Sequence, residues 1–122
     1  MTRLTAKEEE IMSFFWDRGA LFVKQIHESY PEPRPHYNTL STIVRGLEDK
    51  GYVGYTAYGN THLYHALVNR EEYRRLSLKN VIARHFDNSY RHAVSALIEE
   101  EALSIDELKA LIHNVEHQNL TQ

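Results

Sequence analysis

Cysteine is absent from all 122 residues, which excludes disulfides, thiolate nucleophiles and cysteine-based zinc sites. Long apolar runs are also missing, and no segment approaches the roughly 20 apolar residues of a membrane span. The opening Met1-Thr2-Arg3-Leu4-Thr5-Ala6-Lys7-Glu8 holds no apolar stretch of the kind a secretory signal requires. These absences imply a cytoplasmic protein without membrane insertion. A basic excess is lacking as well: the formal charge is −3 and the isoelectric point about 6.2. Proline occurs three times, all within Pro31-Glu32-Pro33-Arg34-Pro35, so helix is barred there and nowhere else by that residue. Gly-rich phosphate loops, nucleophile elbows and His-Glu-x-x-His patterns are missing, which argues against an enzyme and against any cofactor.

What is present concentrates between Tyr37 and Tyr52. Leu40, Ile43, Val44 and Leu47 recur at i, i+3, i+4 and i+7, an apolar stripe along one side of a helix. Asn38, Ser41, Thr42 and Arg45 repeat that spacing two positions earlier, about 200° around the helix. Asn, Ser, Thr and Arg hydrogen-bond base edges and phosphates, whereas an ordinary solvated face carries more Glu and Lys. Tyr37 and Thr39, at the positive end of the helix dipole, suit phosphate, and His36 adds a contact. From Glu32 to Glu48 the only ionised residues between these ends are Arg34 and Arg45. Residues 1–67 hold seven Lys and Arg against eight Asp and Glu, so charge placement, not its sum, would have to serve a nucleic acid.

Local signals organise the rest. Thr5-Ala6-Lys7-Glu8 is a capping box opening a helix that buries Ile11, Met12, Phe15 and Trp16 and ends at Gly19. A shorter helix is expected from Phe22 to Tyr30, with Val23, Ile26 and Tyr30 inward. After the third helix stops at Lys50-Gly51, Tyr52 to Leu67 alternates as a two-stranded hairpin turning at Tyr58-Gly59-Asn60-Thr61, with Asn60 at the tip. Three helices and a hairpin in that order make a winged helix-turn-helix. Asn69-Arg70-Glu71-Glu72 opens a fourth helix reaching near Phe86, and Asp87-Asn88-Ser89 breaks it. A fifth helix is expected from Tyr90 to Glu101, and Ser104-Ile105-Asp106-Glu107 starts a sixth. The fold class is therefore mostly α with a small β-hairpin: a DNA-binding winged helix over 1–68 and a helical dimerisation region over 69–122. Some 50 residues of short amphipathic helix make a thin core that calls for a partner. Homodimerisation through Leu76, Val81, Phe86, Val94, Leu97, Ile98, Leu108, Leu111 and Ile112 would supply it and place two reading helices on a palindromic site of double-stranded DNA.

His113 and His117 share a helix face and His62 and His65 flank a strand, but no third ligand accompanies either pair, so no metal site is expected. Two other readings remain open: a winged-helix adaptor that binds another protein without sequence-specific DNA binding, and a regulator that responds to a small molecule.

The sequence resembles the penicillinase and methicillin-resistance repressor family of bacteria (BlaI/MecI type, with the copper repressor CopY as a relative). The likeness runs through Leu4-Thr5-x-x-Glu8-x-x-Ile11-Met12 and Phe15-Trp16. It is strongest from Tyr37 to Val53, continues at Tyr64 and Glu71-Glu72-Tyr73, and closes at Leu103-Ser104-x-Asp106-Glu107-Leu108-x-x-Leu111. It implies a dimeric repressor on an inverted-repeat operator, controlling antibiotic-resistance or stress genes, with a membrane sensor protease upstream. It also implies cleavage near Ala96-Leu97 in the dimerisation helices. The family pattern has Asn before the cut, where this chain has Ala96, and staphylococcal members have Arg where this chain has Gly46. The C-terminal Cys-x-Cys pairs of the copper repressors are missing.

Overall fold

The structure, a computed structural model, describes residues 3–120 and divides into two compact units, 1–77 and 78–122. The elements run α1 (Ala6–Arg18), β1 (Leu21–Phe22), α2 (Val23–Ser29), α3 (Tyr37–Asp49), β2 (Val53–Tyr58), β3 (Thr61–Ala66), α4 (Arg70–His85), α5 (Tyr90–Glu99) and α6 (Ile105–Leu120). The architecture is mostly helical with a small antiparallel sheet, as the sequence pattern implies.

In the first unit, the capping box forms in both directions: Thr5 Oγ1 accepts from the Glu8 N–H, and Glu8 Oε1 accepts from the Thr5 N–H. Gly19 closes α1 at φ +86°, a conformation L side chains resist, and donates to the Phe15 carbonyl. The stripes of α1, α2 and α3 meet in one core of Ile11, Met12, Phe15, Ile26, Leu40, Val44 and Leu47, with Val53 and Tyr64 from the strands and Tyr52 just before β2. Burying each such side chain contributes about 1.5–3 kcal/mol.

Two expectations need correction here. The hairpin is not alone: β1 pairs antiparallel with β3, Leu21 opposite Tyr64 and Phe22 opposite Leu63, giving a three-stranded sheet in the order β1-β3-β2. Phe22 accordingly lies in a strand, and α2 begins at Val23 and ends at Ser29, leaving Tyr30 just beyond it. The pairing ties the middle of β3 to the segment leading into α2, the outside support that a two-stranded ribbon in water requires. At the tip, Gly59 takes φ +57° at the first central position of the two-residue turn.

The first turns of α4 belong to this unit. Arg70 bridges Asp17 at 2.6 Å and lies over the Trp16 ring, and Trp16 donates to the Val68 carbonyl at 2.9 Å. The Tyr73 hydroxyl hydrogen-bonds Glu9, and burial with that bond pushes its pKa up to about 12. The expected boundary at 68/69 precedes α4, and the two compact units divide within that helix.

Glu8 is the one buried charged residue among those described, 8% exposed, and Lys50 at the end of α3 reaches it at 2.7 Å. Burial raises its pKa, but the Lys50 ammonium and the Thr5 donors outweigh burial and hold the carboxyl below its usual value. A depressed carboxylate contributes stability above the unfolded-state value and loses it as pH falls through the folded one. Denaturant unfolding from about pH 7 to 3 should therefore show stability falling once pH drops below the ordinary Glu value of about 4.3. Glu8→Gln should flatten that part of the profile. Lys50→Met at neutral pH should cost about 1–3 kcal/mol, because the carboxylate loses its ionic partner.

In the second unit, Ser89 caps α5 by accepting from the His92 N–H, and Ser104 with Glu107 forms the expected box at α6. Asp87 and Asn88 break the chain after α4 with φ +48° and +63°. The expectation of helix to Glu101 is corrected: α5 stops at Glu99, and Glu101 turns the chain at φ +58°.

Candidate nucleic-acid interface

Helix α3 presents its polar stripe outward. Asn38, Thr42 and Arg45 are exposed and Ser41 is half-buried, while Leu40, Val44 and Leu47 on the other side have no exposure. Asn38, Ser41 and Arg45 form one wall of a cleft of about 490 Å³, with Tyr37 at its end. The hairpin forms the opposite wall through Asn60, Thr61, His62 and Tyr64, and Phe22, Val23, Lys24 and Gln25 close it at the start of α2. The lining carries the cations Lys24 and Arg45 and no carboxylate. Thr42 lies outside this cleft, its hydroxyl donating back to the Asn38 carbonyl at 2.9 Å.

Local structure explains the arrangement. His36, the residue before α3, makes no side-chain cap bond, and the first turn holds no acid, so exposed Tyr37 and Thr39 flank a helix end whose amide dipoles remain available to an anion. Gly46 sits on the α1 flank of α3, where an added Cβ would meet the Glu8 carboxylate at 3.9 Å. The cation on the cleft wall is thus Arg45, one residue earlier, with its Nε 3.4 Å from the Ser41 carbonyl. Tyr64 supplies part of the hairpin wall; burial raises its phenol pKa and Glu48 adds to this while Arg45 opposes it, so the hydroxyl stays protonated.

The sequence brought forward the α3 residues and Asn60. It missed Lys24, Gln25, His62 and Tyr64, which only the pairing of β1 with β3 carries to the same cleft. Among the described residues, no three His, Cys, Asp or Glu side chains are grouped to hold a metal ion. No helix among them is long and apolar enough to cross a membrane.

A three-helix core, a glycine-ended third helix with an outward polar stripe and a hairpin beside it define a winged helix. The chain belongs to the penicillinase repressor family, whose model matches residues 4–117. That family comprises transcriptional repressors and not enzymes. The chain is 24% identical over 109 residues to the methicillin resistance regulatory protein MecI of Mammaliicoccus sciuri, covering 88% of this chain and 89% of that protein. It is 23% identical, with the same coverage, to the proteins of that name from Staphylococcus aureus (strain N315) and Staphylococcus epidermidis.

Proposed function

We propose that this repressor is a cytoplasmic homodimer that binds an inverted-repeat operator in double-stranded DNA and controls antibiotic-resistance or stress genes. The observation that carries the reading is the acid-free cleft, in which Asn38, Ser41 and Arg45 of α3 face outward beside the hairpin. In this reading α3 enters the major groove, with Arg45 suited to guanine and Asn38 to adenine, while Ser41 and Thr42 add adaptable hydrogen bonds. His36, Tyr37 and Thr39 meet phosphates at the start of α3, and Asn60 at the hairpin tip meets the neighbouring backbone. The relatives named for methicillin resistance support the choice of regulated genes.

Pairing falls to the helical region over 69–122, which takes in Leu76 at the end of the first unit and the second unit beyond it. Leu76, Phe86, Val94, Ile98 and Leu108 are half-buried within one chain, and Val81, Leu97, Leu111 and Ile112 are exposed. Release follows cleavage in this region by a membrane sensor protease. Ala96 and Leu97 lie inside α5, so that turn must unwind before a protease can hold it in extended form. Cutting there would weaken the dimer and, by linkage, the operator complex.

The test is binding to operator and to random duplex. Arg45→Ala and Asn38→Ala should each cost about 1–3 kcal/mol on the operator and little on random DNA. Unchanged discrimination in both variants would remove the reading-helix assignment. The net charge of −3 favours one second reading, a winged-helix adaptor for another protein. Salt separates the two: an operator complex with several phosphate contacts weakens by orders of magnitude between low and moderate salt.

A further inference from the structure

We propose that His62 is a second hairpin contact to the duplex backbone, besides Asn60, its imidazole donating to a phosphate oxygen, and that Tyr55 is the positioning residue that sets the ring for it. The proposal deepens the DNA-binding reading and rests on it.

His62 is exposed on β3, yet its ring is packed against neighbours. It lies flat on Tyr55 of the neighbouring strand, with centroids 3.9 Å apart and planes 8° from parallel. Tyr64 approaches from the side at 5.9 Å and 64°. Neither imidazole nitrogen is engaged by a hydrogen bond among the described residues. Exposed side chains ordinarily keep their rotamer freedom, and freezing one in advance lowers the cost of a later contact. Arg45 on α3 and Lys24 on α2 line the same cleft, and the lining holds no carboxylate to compete for them. Donors from three elements therefore converge on one concave surface, the chemistry of a site for phosphate oxygens. With α3 in the major groove, the strand bordering that groove would run over this cleft.

The experiment uses the full chain and duplexes selected by it from a randomised inverted-repeat library, with binding read by fluorescence anisotropy. His62→Ala should weaken binding about 10- to 150-fold with the circular dichroism unchanged, the size of one lost hydrogen bond to a charged group. His62→Gln, which keeps a donor, should recover most of it. Tyr55→Ala should weaken binding comparably, and Tyr55→Phe, which keeps the stack, should match the parent. Ethylation interference should lose the same phosphate position in His62→Ala and Tyr55→Ala. Parental affinity in His62→Ala overturns the proposal, as does a loss that leaves the interference pattern intact or that Gln does not repair. Inorganic phosphate without DNA should leave the His62 ring resonances unmoved where duplex shifts them; an equal response would make this a free-anion site and overturn the duplex assignment. Arg45→Ala weakened with His62→Ala intact sinks this inference alone, whereas a parent chain that selects no duplex brings down the DNA reading beneath it.

Discussion

Placing aspartate at both Leu111 and Ile112 should convert the protein to a monomer and lower its operator affinity by about 10²- to 10⁴-fold, the range lost when two linked sites become independent. The reason lies in how little the second unit buries within one chain. Between residues 78 and 117 only Ile82 is buried, while Leu97, Leu111, Ile112 and Val115 are 48%, 52%, 49% and 55% exposed. Helices of 10 and 16 residues, the lengths of α5 and α6, are marginal in water without packing. A second copy presenting the same apolar faces would provide that packing, and a carboxylate in the contact would be left desolvated. Sedimentation equilibrium reads the mass and anisotropy reads the affinity. A variant that stays dimeric, or a monomer that binds operator as the parent does, would show that pairing lies elsewhere.

Leu47→Ala should be among the damaging single truncations in the first unit, costing about 2–5 kcal/mol. Leu47 has no exposure and shares the core with Leu40 and Val44, so its truncation leaves a cavity there. Against a total of about 5–15 kcal/mol for a small domain, that removes a large fraction of stability. Thr42→Ala, on the outward side of the same helix, should stay within about 0.5 kcal/mol of the parent. Urea unfolding checks both. Equal losses would mean that the two sides of α3 are not in the environments described.

Helices announced themselves in the sequence because their signals are local. Thr5 with Glu8, Asn69 with Glu72, and Ser104 with Glu107 each sit three residues apart, and each forms the cap expected. The α3 stripes were legible for the same reason. Strand β1 was not, since two residues carry no alternation and its partners Leu63 and Tyr64 lie about forty positions away. That long-range pairing also brings His62 and Tyr64 toward Lys24, which no spacing rule could find. The end of α5 was misplaced because Glu100 and Glu101 are good helix formers; the chain turns there through a non-glycine residue at positive φ. Exposure in the second unit depends on what packs against each helix, so periodicity could name its apolar residues without saying which remain uncovered.

The tie between Glu8 and Lys50 has a consequence for the other side of any complex. It bolts the far end of α3 to α1, and Lys50 also reaches the Arg3 carbonyl at 3.4 Å. A reading element braced at that end has little freedom to adjust its pitch, so most of the adaptation falls to the nucleic acid. Stiffness of base steps that no side chain touches then enters the free energy of recognition, and operators built on easily deformed pyrimidine–purine steps would be favoured over rigid ones offering the same contacts.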